Sequence, residues 1–161
     1  MRHGSLFELI LIKGMDAMSF KNLMNSYAAR QQMELLGCEN NKCTLTIDGR
    51  VEVSCFQANG RFYAYSVITK LPVDNNKRES MLVGLLERNL ALLTTQRVSL
   101  CIDPDENVLG VYISASLKNL NVDLIEELIA ALANNYELFL TWAGQGGGTS
   151  VQSPPAMMLM P

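Results

Sequence analysis

The chain has 161 residues, 48% of them hydrophobic, and a formal net charge of −3, which suits one domain with a single core and is too short for two. No run of Lys or Arg exceeds the pair Lys77-Arg78, so a phosphate backbone would find no electrostatic footprint and nucleic acid is excluded as a partner. The apolar run Leu6-Phe7-Glu8-Leu9-Ile10-Leu11-Ile12 falls far short of the roughly 20 residues that span a bilayer and carries no small-residue cleavage site, so neither a membrane segment nor a secretory signal is expected.

Met15 and Met18 stand just before the first convincing helix, and residues 1–14 are expected to form a leader outside the fold. A helix is expected from about Ser19 to Leu36: Phe20, Leu23, Met24, Tyr27 and Ala28 recur at steps of three and four, Asp16 or Ser19 can cap the start, and Gly37 can stop the end. Cys43 to Ile47 and Val51 to Phe56 then alternate on either side of Asp48-Gly49, and Asn59-Gly60 leads into Phe62 to Ile68. Period-two alternation across Asp-Gly and Asn-Gly is a strong hairpin signal, so these segments read as a three-stranded antiparallel meander.

Pro72 ends the third strand, Asp74 to Arg78 makes a polar loop, and a second helix is expected from about Glu79 to Leu93. Its apolar residues Met81, Leu82, Val83, Leu85, Leu86, Leu90, Leu92 and Leu93 surround most of the circumference. A short helix of that kind must be covered on more than one side, by the sheet and by a partner. Val98 to Ile102 and Val108 to Ile113 form a second hairpin across Asp103 to Asn107. The last helix starts at the N-cap Asn121, with Asp123 in its first turn, and ends near Trp142 and Ala143. The expected architecture is α+β: helix-strand-strand-strand-helix-strand-strand-helix, a twisted antiparallel sheet packed with three helices, occupying residues 15–143 and homodimeric. Residues 144–161, rich in Gly, Ser and Pro and tipped by Met157, Met158, Leu159 and Met160, read as a flexible tail.

Little here is chemistry. The single histidine, His3, lies in the leader, and no Gly-x-Ser-x-Gly exists, so the usual base and presentation for a Ser or Cys nucleophile are missing and the chain is not read as an enzyme. Cys38, Cys43, Cys55 and Cys101 lack a C-x-x-C spacing and a nearby His, which leaves no metal site and no implied cofactor. Cys55 and Cys101 read as small buried hydrophobes, and Cys38 and Cys43 can approach across a turn, but free thiols in a reducing cytoplasm are the expectation. Asp103-x-Asp105-x-Asn107 imitates a calcium loop, yet Val108 stands where Gly is needed and Ser114 where the bidentate Glu is needed. Gly144 to Ser150 lacks the Lys of a phosphate loop and follows a helix. Glu126 and Glu127 diverge by about 100° on their helix and make a polar face.

Tyr27, Phe56, Phe62, Tyr63 and Tyr65 are the remaining set. Phe62, Ala64 and Ser66 point to one side of the sheet and Tyr63, Tyr65 and Val67 to the other, so if helices cover one face, the opposite face displays aromatics.

The element order, with Phe20-x-x-Leu23-Met24, Leu35-Leu36-Gly37, Leu45-x-Ile47-Asp48-Gly49, Leu85-Leu86-x-x-Asn89-Leu90 and Leu138-Phe139-x-x-Trp142, resembles the class I chaperones of bacterial type III secretion, the effector-specific chaperones of the Tir chaperone type, over about residues 18–143. The resemblance implies a small acidic homodimer of the bacterial cytoplasm. It would bind the extended N-terminal region of a secreted effector and keep it competent for export, with the secretion-system ATPase as a further partner. It implies a two-fold interface built from the second helix and the strand at Val98, here Leu82, Leu85, Leu86, Leu90, Val98 and Leu100. The effector would meet the first helix and the neighbouring sheet, here Leu23, Met24, Tyr27, Phe62, Tyr63 and Tyr65. A dimeric adaptor of the same fold that binds a folded partner is the alternative, and a thiol enzyme using Cys38 or Cys43 a third. The leader and the Met-tipped tail have no counterpart in the family pattern.

Overall fold

The computed structural model describes residues 17–145, so the expected leader 1–14 and nearly all of the expected tail lie outside the described residues. In chain order the elements are α1 (Ala17–Arg30), β1 (Leu35–Glu39), β2 (Lys42–Ile47), β3 (Val51–Ala58), β4 (Arg61–Lys70), α2 (Asn75–Gln96), β5 (Ser99–Asp103), β6 (Val108–Ser116), a 3-10 turn at Leu117–Asn119, and α3 (Val122–Gln145). All strand pairs are antiparallel, in the order β1-β2-β3-β4-β6-β5. The α+β class is as expected, with one strand more.

The extra strand corrects the extent of the first helix. Gln32 adopts φ 54, its N–H donates to the Ala29 carbonyl and the Met33 N–H to the Ala28 carbonyl. That is a Schellman stop with Gln where Gly is usual. The chain freed there becomes β1, which turns back through Asn40 (φ 50) and Asn41 (φ 62). Both central residues are left-handed, which matches strand twist in a two-residue hairpin. Asp48-Gly49 and Asn59-Gly60 also have positive φ at both positions, and β2-β3 and β3-β4 pair around them as the sequence predicts.

The β1-β2 hairpin sets Cys38 directly opposite Cys43, with 4.2 Å between Cα atoms, and the two are disulfide-bonded. The expectation of free thiols at these positions is corrected: a two-residue turn puts residues one step beyond the closing pair side by side, within bonding reach. Cys55 and Cys101 are free.

One face of the sheet carries the core. Phe20, Met24 and Tyr27 of α1 and Ile125, Ile129, Leu132 and Phe139 of α3 pack with Leu45, Val53, Phe62 and Val111 of the strands. Asn121 caps α3 by accepting the Leu124 N–H at 2.8 Å. Arg30 at the end of α1 reaches Asp123 and Glu126 at the start of α3. These groups are well exposed, so the link positions the helices more than it stabilises them.

The second helix joins the same core through Met81 and Leu85. Asp74 caps α2 by accepting the Lys77 N–H, and α2 touches α3 and β5. Asn89 on α2 accepts the Leu100 N–H of β5 at 3.2 Å, and Arg88 lies 4.8 Å over the Trp142 ring of α3. Those two contacts fix which side of α2 faces inward. No helix among the described residues is long and apolar enough to cross a membrane.

Candidate functional site

The face of the sheet opposite the helices carries a row of aromatics. Alternation along β4 buries Phe62, Ala64, Ser66 and Ile68 and leaves Tyr63 and Tyr65 half-buried and Val67 exposed on the other side. Phe56 of β3 is paired with Tyr63, and their rings stack at 5.2 Å with 14° between planes. Tyr112 of β6 is paired with Tyr65 and tilts toward Tyr63 with centroids 6.3 Å apart. These rings, with Ile102, Asp103 and Pro104 at the end of β5, line a cleft of about 280 Å³.

Gly110 of β6 allows the cleft its depth. A Cβ there would overlap the Tyr65 ring, so only glycine lets that ring lie flat on the strand. Burial, with Cys101 and Asp103 adding, raises the Tyr65 hydroxyl from 10.0 to about 12. Burial also raises the Cys101 thiol to about 11, again with Asp103 adding. On the core face Tyr27 is raised to about 12, by burial first and then by Cys55 and Glu126.

These two tyrosines set an alkaline limit. Their folded pKa lies above the unfolded value of 10.0, so their contribution to stability is fully present below pH 10 and is lost as pH rises through about 12. An ultraviolet titration of tyrosinate should show a late component that disappears in the Tyr27→Phe, Tyr65→Phe double variant. An unchanged alkaline limb in that variant would show that neither hydroxyl is held.

The structure separates the six residues expected to meet an effector. Met24, Tyr27 and Phe62 are buried in the core at 0%, 3% and 0% exposure, which corrects their assignment: they hold α1 to the sheet and have no free surface. Leu23 is partly buried against the same core. Tyr63 and Tyr65 line the cleft on the opposite face. Phe56, Tyr112 and Ile102 join them there without having been singled out as site residues. Phe56 is legible in the sequence, since a two-residue Asn59-Gly60 turn pairs it with Tyr63. Tyr112 is not, because the β4-β6 pairing joins strands separated by the whole of α2.

The expected interface set divides in the same way. Leu85 and Val98 belong to the chain's own core at 2% and 0% exposure, a correction that follows from the Asn89–Leu100 bond turning that side of α2 inward. Leu82 and Leu100 are partly buried against the core. Leu86 and Leu90 are exposed, at 56% and 67%, together with Val83 and Leu93. Spacings of three, four and three place these four residues on one helical stripe.

Among the described residues, no three His, Cys, Asp or Glu side chains cluster as metal ligands. The cleft offers apolar contact and hydrogen bonding.

The profile of the Tir chaperone protein (CesT) family matches residues 13–139. No curated protein is significantly similar to the sequence. The fold is similar to a chain of the HopA1–SchA chaperone–effector complex, at TM-score 0.61 and 17% identity over 80% of this chain and 99% of that one. It is similar to a chain of the ExsC–ExsE complex, at TM-score 0.62 and 15% identity over 79% of this chain and 96% of that one. It is also similar to a chain of the heterodimeric ExoU–SpcU complex from the type III secretion system of Pseudomonas aeruginosa, at TM-score 0.56 and 14% identity over 74% of this chain and 96% of that one.

Proposed function

Because the chain belongs to the Tir chaperone protein (CesT) family, we propose that it is a chaperone that binds the extended N-terminal region of a type III secreted effector and keeps it competent for export. The observation that carries the reading is the row of Phe56, Tyr63, Tyr65 and Tyr112 around a cleft on the sheet face away from the helices. An unfolded ligand brings scattered apolar side chains to bury and backbone groups to satisfy, and aromatic pockets on a sheet answer the first need. Ordering such a segment is costly, so a few anchors must dominate its affinity.

Two copies are proposed to pair through the α2 stripe of Val83, Leu86, Leu90 and Leu93, with Leu82 and Leu100 at its margin. No catalysis and no cofactor are assigned. The proposed place of action is the bacterial cytoplasm, and delivery to the secretion-system ATPase is proposed by analogy with the family.

Proteolysis of the purified chain mixed with an effector from the source bacterium tests this. A segment of some tens of residues should resist protease only when the chaperone is present, and Tyr65→Asp should weaken binding roughly tenfold or more, ~1.4 kcal/mol, while circular dichroism stays native. Binding without protection of any segment would favour an adaptor that grips a folded partner.

A further inference from the structure

We propose that the aromatic cleft takes a basic side chain, arginine or lysine, of the bound segment, with Asp103 at its rim as the counter-charge; this rests on the effector-binding reading and names what that surface selects. Among the described residues, four rings and one carboxylate line the cleft, and no Lys, Arg or His does. Aromatic faces carry the negative side of the ring quadrupole, so several of them around one cavity attract a cation that a purely aliphatic pocket would reject. Phe56 and Tyr63 stack on one another and line the cleft with Tyr65 and Tyr112, aromatic surface of the kind on which a planar guanidinium lies.

Asp103 is held for this role by its turn. Its Oδ1 accepts the N–H of Asp105 at 3.0 Å and of Glu106 at 3.3 Å, which leaves the second oxygen able to accept from an incoming cation. Asp105 and Glu106 add two further carboxylates to the same turn. Arg61, also on the outer face of β4, bonds Ser114 Oγ at 2.9 Å and lies outside the lining. A cleft of about 280 Å³ sits just below the roughly 300–1,000 Å³ of small-molecule sites, room for one long side chain and its methylene stem.

The test uses the full chain and three short probes, acetyl-Leu-Arg-Leu-amide and its Gln and Glu counterparts, followed by NMR shifts of the Gly110 and Asp103 amides. The Arg probe should bind roughly tenfold or more tightly than either counterpart at low salt, and added salt should narrow the gap. Asp103→Asn, which keeps the turn's Oδ1 acceptor, should remove most of the preference, and Tyr65→Leu should remove the rest. Equal binding of the Gln probe, shifts confined to other surfaces, no shift with any probe, or an intact preference in Asp103→Asn would each overturn the proposal. None of these touches the protease-protection result, so failure here and failure of the chaperone reading are separately visible.

Discussion

With Leu86 and Leu90 both replaced by Asp, the protein should sediment as a monomer whose circular dichroism is unchanged. Both side chains are more than half exposed in the single chain, so the protomer loses none of its own core by the change. An apolar homodimer interface of this kind buries roughly 2,000 Å² or more, and an unpaired charge buried in one costs about 3–5 kcal/mol. Two such charges per protomer would weaken association by a factor of thousands or more. Leu85→Asp is the contrasting variant. Leu85 is only 2% exposed, about 100° around α2 from Leu86, and its replacement should unfold the protomer itself. Sedimentation at several concentrations separates the outcomes. A double variant that remains dimeric would place the contact elsewhere, and a Leu85→Asp protein that stays folded would mean that α2 is docked with the other side inward.

That contrast shows why the proposed interface is only half legible in the sequence. Apolar residues around most of the circumference of α2 imply cover on two sides, but not which side the sheet takes. The choice is made by Asn89 reaching the Leu100 N–H and by Arg88 lying over Trp142, contacts between elements that local pattern does not contain. The hairpins were easier, because Asp48-Gly49 and Asn59-Gly60 are chemically suited to left-handed backbone and declare themselves. The end of α1 did not, because Gln32 adopts that conformation without being a residue that prefers it. The Leu35-Leu36-Gly37 that follows lacks alternation, so the helical pattern runs on in the sequence into what is β1. On β4 the period-two rule separates Phe62 from Tyr63 and Tyr65, but it does not say which of the two rows is free to meet cargo. Alternation says that two rows face opposite ways, and which row the helices cover is settled only by packing. The first helix fell to the same ambiguity: Met24 and Tyr27 lie on its apolar stripe, and that stripe fills the core.

The neighbours Phe62 and Tyr63 should therefore give opposite phenotypes. Phe62 is completely buried, packs 6.3 Å from the Phe20 ring and joins α1 to the sheet. Truncating it to Ala should cost about 3–5 kcal/mol from the lost transfer energy and the cavity left behind. That is a large share of the roughly 5–15 kcal/mol by which a domain is stable, enough to move a urea midpoint substantially. Tyr63 is half-buried on the other face and stacks on Phe56, a pairing worth about 0.5–1.5 kcal/mol beyond its area. Tyr63→Ala should leave a well-folded protein that binds the effector segment roughly tenfold or more weakly, ~1.4 kcal/mol. Denaturant titration and calorimetric binding on the two variants read both quantities. If Tyr63→Ala binds normally while Phe62→Ala keeps its stability and loses binding, the helix-covered face would be the one that opens to cargo, and the cleft on the outer face would have another use.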